Sequence, residues 1–96
     1  MDIRFLDIAQ RELDDAVEYY HAESPGLGEQ FLLEVLRTLE RIRQYPEAWH
    51  PFTQNTRRCQ TQRFPYGVVY QILESEILSA AIAHLHREPG YWRNRI

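Results

Sequence analysis

Between residues 57 and 95 lie ten side chains that could do chemistry together: Arg57, Arg58, Arg63, His84, His86, Arg87, Tyr91, Trp92, Arg93 and Arg95. Arginine offers a planar, permanently charged fork that fits phosphate, and Tyr, Trp and His rings can stack on bases. A ribonuclease working without metal needs three groups: a base for the 2′-hydroxyl proton, a cation for the phosphate, and an acid for the leaving oxygen. His84 or His86 fits the first role, Arg87 or Arg63 the second, and Tyr91 or a histidine the third. Arg57, Arg58, Arg63, Arg87, Trp92 and Arg93 are then the candidate contacts to a target or a nucleic acid. A competing reading is structural, with Arg87, Glu88 and the Tyr91-Trp92 pair anchoring the tail onto a sheet.

Other chemistries have less behind them. His84 and His86 share a face if they lie on a strand, but two ligands are too few for a metal, so neither metal nor cofactor is expected. Cys59 with His50 makes a poor nucleophile pair, because a free cysteine is more often a small packed hydrophobe. The sequence carries no Gly-rich phosphate loop, Cys-x-x-Cys, His-Glu-x-x-His or Gly-x-Ser-x-Gly.

The elements that must position these residues belong to one domain, since 96 residues allow a single modest core. A hydrophobic content of 44% excludes disorder. Ala80 to Ala83, bounded by Ser79 and His84, is far short of a membrane span. The start Met1-Asp2-Ile3-Arg4 lacks the apolar run of a signal peptide, and a single cysteine forms no internal disulfide, so a cytoplasmic, reduced protein is expected. All eleven basic residues are Arg. Residues 1–48 hold five of them against eleven acids, a net of −6, whereas residues 49–96 hold six against three, a net of +3. That dipole would turn an anionic partner toward the rear.

Ile3, Phe5 and Leu6 predict a short strand. Asp7 and Gln10 read as a capping box opening a helix, with Ala9, Leu13, Ala16, Val17 and Tyr20 as its apolar stripe and Glu12 on its wet side. Ser24-Pro25-Gly26 breaks the chain and Gly28 can cap a second helix. The stripe of that helix is Phe31, Leu32, Val35, Leu36, Leu39 and Ile42, and Pro46 stops it. Residues 46–57 read as a loop, 57–64 as a polar strand, 68–73 as a β-rich run, 74–76 as a hairpin turn and 77–85 as a buried strand. The tail is irregular or starts a last short turn. The order β-α-α-β-β-β predicts an α+β fold, a helical hairpin on one small sheet completed by a three-stranded antiparallel run.

The pieces Arg63-Phe64-Pro65-Tyr66-Gly67-Val68-Val69-Tyr70 and His86-Arg87-Glu88-Pro89-Gly90-Tyr91-Trp92 resemble the RelE/ParE toxin superfamily of type II toxin–antitoxin modules. So do Tyr19-Tyr20, Pro25-Gly26-Leu27-Gly28, Phe31-Leu32 and Pro46 in the hairpin, so the resemblance spans nearly the whole chain. It implies a growth inhibitor of plasmid-stabilisation type, silenced by a cognate antitoxin protein. RelE-like members cut messenger RNA on the ribosome and carry an Arg inside Tyr-Arg-hydrophobic-hydrophobic-Tyr; here Gly67 stands in that place. Their second Arg, after the last core strand, is matched by Arg87, and their lysines have no counterpart. ParE-like members inhibit DNA gyrase without cutting RNA. The lost nuclease set and the long hairpin favour a ParE-like toxin. The alternatives are a RelE-like messenger RNA endoribonuclease using His84, His86, Arg87 and Tyr91, and a decayed toxin that only binds its antitoxin.

Overall fold

Helix-period apolar stripes fill the front half of the chain and strand-like apolar runs the rear half, and the computed structural model, which describes residues 1–53 and 55–96, folds accordingly. Strand β1 (Asp2–Phe5) leads into helix α1 (Asp7–Glu23) and, across a short link, helix α2 (Leu27–Gln44). Strands β2 (Pro51–Thr53), β3 (Thr56–Gln60), β4 (Tyr66–Ile72) and β5 (Glu76–His84) follow, and a 3-10 turn at Arg93–Arg95 closes the described chain. This is the α+β architecture expected, with one strand more.

The extra strand is β2. The sheet runs β1-β5-β4-β3-β2, so β2 is an edge, opposite β3 at Pro51↔Arg57 and Thr53↔Thr56. It falls inside the stretch expected to be loop, and Gln54 of that stretch lies outside the described residues. A proline is tolerated where an edge strand begins. At the other edge β1 pairs parallel with β5, from Asp2↔Glu76 to Phe5↔Ser79. β3, β4 and β5 are antiparallel neighbours, and Ala80 is one residue extra between the pairs Val69↔Ala81 and Tyr70↔Ser79.

Local details depart from expectation for physical reasons. The polar strand expected over 57–64 stops at Gln60, because Thr61 starts a turn: its hydroxyl donates to the carbonyls of Phe64 (2.9 Å) and Tyr66 (3.1 Å). Arg63 in that turn is left-handed, with φ of 71°. Asp7 is not the cap of α1; extended Leu6 holds that position without a side-chain bond, and Gln10 turns to Asp14 instead (3.0 Å). Nor does Gly28 cap α2, whose N-cap is Gly26 at φ 80°. Gly28 is where the helices touch: a Cβ there would stand 2.6 Å from the Val17 carbonyl oxygen.

Both sheet faces are covered, which is why β4 and β5 read as continuous apolar runs rather than alternating ones. On one face the hairpin packs Leu13, Phe31, Val35 and Ile42 onto Cys59, Val68, Tyr70, Ile77 and Ile82. Tyr20, Phe31, Phe64 and Tyr66 stack there with ring centroids 5.0–6.2 Å apart. Leu32 and Leu36 do not join this core; they face outward, and Glu34 and Thr38 are buried in their stead. The other face is small-residued, with Val69, Ala81 and Ala83, and the tail covers it with Trp92.

Candidate binding face and tail clasp

β5 ends at His84, whose carbonyl accepts the Arg87 N–H (3.0 Å), while the Leu85 N–H reaches the Pro65 carbonyl (2.9 Å). The chain therefore turns back, and the tail meets α1 at a single carboxylate. Glu12 Oε1 accepts from the backbone N–H of Ile82 (3.0 Å) and from Arg95 Nη1 (2.9 Å). Its Oε2 accepts from the Tyr91 hydroxyl (2.8 Å) and from Arg95 Nη2 (3.0 Å), and Arg87 Nη1 stands 3.6 Å away. Arg95 also donates to the Ala80 carbonyl (3.0 Å). β1 pairs with β5 only as far as Ser79, so these side chains satisfy the strand edge that β1 leaves open.

Glu12 was expected on the wet side of α1; it is instead the hub of the rear. A signal was available, because Glu12 lies three residues after buried Ala9 and four before buried Ala16, on the same helix face. Glu34 repeats the pattern on α2. Its Oε2 accepts the Gln62 N–H (2.7 Å), with Arg41 at 3.7 Å.

The four residues assigned to nuclease chemistry lie near one another, and two of them, Arg87 and Tyr91, serve this clasp. Burial, and then the bond to Glu12, push the Tyr91 hydroxyl well above the ordinary phenol range. Arg87 leans over the Tyr91 ring, 3.8 Å from its centroid, besides facing Glu12. His84 Nδ1 accepts the backbone N–H of His86 (3.1 Å), and the two rings sit edge to face at 5.1 Å. His84 and Arg87 line an open groove of about 300 Å³ with Tyr66, and with Asp15 and Tyr19 of α1. Among the described residues no group of three or more His, Cys, Asp or Glu could hold a metal. Cys59 is a core residue, 1% exposed, and burial raises its thiol pKa.

The six candidate contact residues separate. Arg57 Nη1 is bound by the carbonyls of Trp49 (2.6 Å) and Glu47 (3.2 Å) and holds the segment before β2. Arg63 donates to the Gln30 side chain (2.9 Å). Trp92 is 2% exposed and packs on Phe52, so it is a lid on the sheet rather than a contact; half-open Phe52 is the aromatic that reaches solvent there. Arg93 folds back beside Gly90, whose φ is 84°.

Arg58 is different. Its guanidinium carbon lies 4.4 Å from the centroid of the Phe52 ring. Its stem crosses Gly67, where a Cβ would come within 2.9 Å of Arg58 Cγ and 3.0 Å of Cδ. Among the described residues Arg58 and Arg93 have no carboxylate partner, unlike Arg4, Arg37, Arg41, Arg43, Arg87 and Arg95. The position where a cation was missed in β4 is thus crossed by one from β3.

Set against known proteins, residues 3–89 match the family model described as "ParE toxin of type II toxin-antitoxin system, parDE". No curated protein matches the chain. Among solved structures it is similar to a chain of the chromosomal ParDE TA system from P. aeruginosa, with 17% identity and a TM-score of 0.67 over 90% of this chain and 97% of that one. At that identity the likeness is one of fold.

Proposed function

The chain belongs to the ParE toxin family of type II toxin–antitoxin systems, and from this premise we propose that it arrests bacterial growth by inhibiting DNA gyrase, not by cutting messenger RNA, until its antitoxin neutralises it. The observation that carries the choice is the clasp. General acid–base work needs a group free to exchange its proton near the working pH. The Tyr91 hydroxyl donates to Glu12 and is pushed up, and Arg87 faces the same carboxylate, at 3.6 Å, from the wall of the groove. No arginine stands at position 67 either. What the rear offers is a contact surface: Arg58 and Arg93, exposed Phe52, and the groove beside His84.

The test is direct. Expressed alone, the protein should arrest growth with a DNA-damage response, and its adjacent antitoxin should restore growth. Purified, it should block supercoiling by gyrase and leave ribosome-bound messenger intact. Ribosome-dependent cleavage by the wild-type protein, lost in Arg87→Ala, would falsify the gyrase reading. Removing such an electrostatic stabiliser costs a nuclease ~10²–10³-fold.

A further inference from the structure

We propose that Arg58, seated by Gly67 and laid on Phe52, is the anchor by which the tail-side sheet face grips a carboxylate on an acidic segment of the antitoxin. The inference rests on the toxin reading above and adds to it a residue, a positioning device and a ligand chemistry.

The geometry begins with the pairing register. Arg58 stands opposite Val69 and Gln60 opposite Gly67, so Arg58 and Gly67 are diagonal neighbours on one face. Such neighbours are close enough for a long side chain to cross. Any side chain at 67 would strike the Arg58 stem, with the Cβ alone at 2.9 Å from Cγ. Glycine therefore leaves the room in which the Arg58 stem crosses the strand. The guanidinium ends over Phe52, and the Phe52 ring is itself braced by Trp92, 5.7 Å between centroids. A guanidinium stacked on a ring keeps its in-plane N–H donors free at the edge, the arrangement that receives a carboxylate in two parallel hydrogen bonds. Because the fork is already held, less side-chain freedom is lost when a partner binds.

Charge decides between carboxylate and nucleic acid. Binding a phosphate backbone draws on many cations spread along a face. Here Arg57 is occupied by carbonyls, Arg63 by Gln30 and Arg95 by Glu12, and Arg87 stands beside the same carboxylate, so much of the rear's positive charge is engaged within the fold. One prepared fork beside an exposed aromatic is instead the composition of a protein-binding hot spot.

Titration calorimetry of the purified protein with its antitoxin tests this. Arg58→Ala should weaken the complex about 30-fold or more, where hot-spot truncations begin. Gly67→Ala removes no charge, yet by pushing Arg58 off its seat it should weaken binding to a similar degree. The double variant should be no weaker than Arg58→Ala alone, because both changes break one device. Arg58→Lys, which keeps the charge and loses the fork, should fall between wild type and alanine, and it guards against a Gly67→Ala variant that fails to fold. Wild-type affinity in Arg58→Ala overturns the inference, as do losses that add in the double variant, or RNA binding lost in Arg58→Ala while antitoxin affinity stays unchanged. A wild-type protein that bound no antitoxin would strike the toxin reading itself, and this inference with it.

Discussion

The two faces of the sheet are held by different physics. On the helix side, large apolar side chains from α1 and α2 meet those of β3, β4 and β5, and Phe31, Val35 and Ile42 are fully buried. On the tail side the sheet offers Val69, Ala81 and Ala83, one indole covers them, and a carboxylate on α1 fastens the strap. The first face loses little if one polar bond is cut. The second depends on Glu12, whose partners are up to 83 residues away in sequence. Apolar stripes thus build the scaffold, and a few directional bonds place the tail over the other face.

The comparison can be broken from the helix side first. Phe31→Ala should cost about 3–5 kcal/mol, the usual loss for a buried aromatic, and should lower the whole unfolding transition in calorimetry or denaturant. A cut at the clasp should be smaller and local. Glu12→Ala leaves the Ile82 N–H without its acceptor and Arg95 without its carboxylate, and should cost on the order of 3 kcal/mol. Hydrogen exchange should then speed up at Ile82 far more than at Val68; equal acceleration at both would show that the tail is not a separate unit.

The smallest effect distinguishes the faces by pH. The Tyr70 hydroxyl, on the helix side, donates to the Pro46 carbonyl (2.6 Å), and burial pushes its pKa from 10 up to about 12. Tyr91, on the tail side, is raised as well. A folded-state pKa above the unfolded one favours the protonated form, so this stability is complete below pH 10 and is lost as pH climbs toward 12. Melting temperature should fall over that window. Tyr70→Phe and Tyr91→Phe should each flatten the fall, and only the second should also loosen the tail in exchange.

What could be read in the sequence follows the same division. The hairpin was legible because Ala9, Leu13, Ala16 and Phe31, Val35, Ile42 repeat at helix period, and β4 and β5 because their apolar runs are long. β2 was not, since three residues beginning with Pro51 become a strand only once β3 lies beside them. In the candidate site, the grouping of His84, His86, Arg87 and Tyr91 was legible, and so was the tail's role as an anchor. Glu12 was placed on the wet side by its polarity although its spacing from Ala9 and Ala16 pointed inward, and Glu34 was not singled out; their partners, Ile82, Arg95 and Gln62, are far along the chain. Gly67 looked like a lost cation, and only the register beside Arg58 shows that an arginine stem crosses it.

The parallel pairing of β1 with β5 has a consequence for synthesis. The strand made first finds its neighbour only after residues 76–79 exist, and the edge beyond it is sealed only when Arg95 arrives. While the chain is still being translated, α1 and α2 can pair with each other, but the tail-side face has no cover until Trp92 is made. Contacts this distant in sequence form late. The tail-side face therefore matures after the rest of the chain, and a partner that needs this face in its final shape meets it only once the last residues are in place.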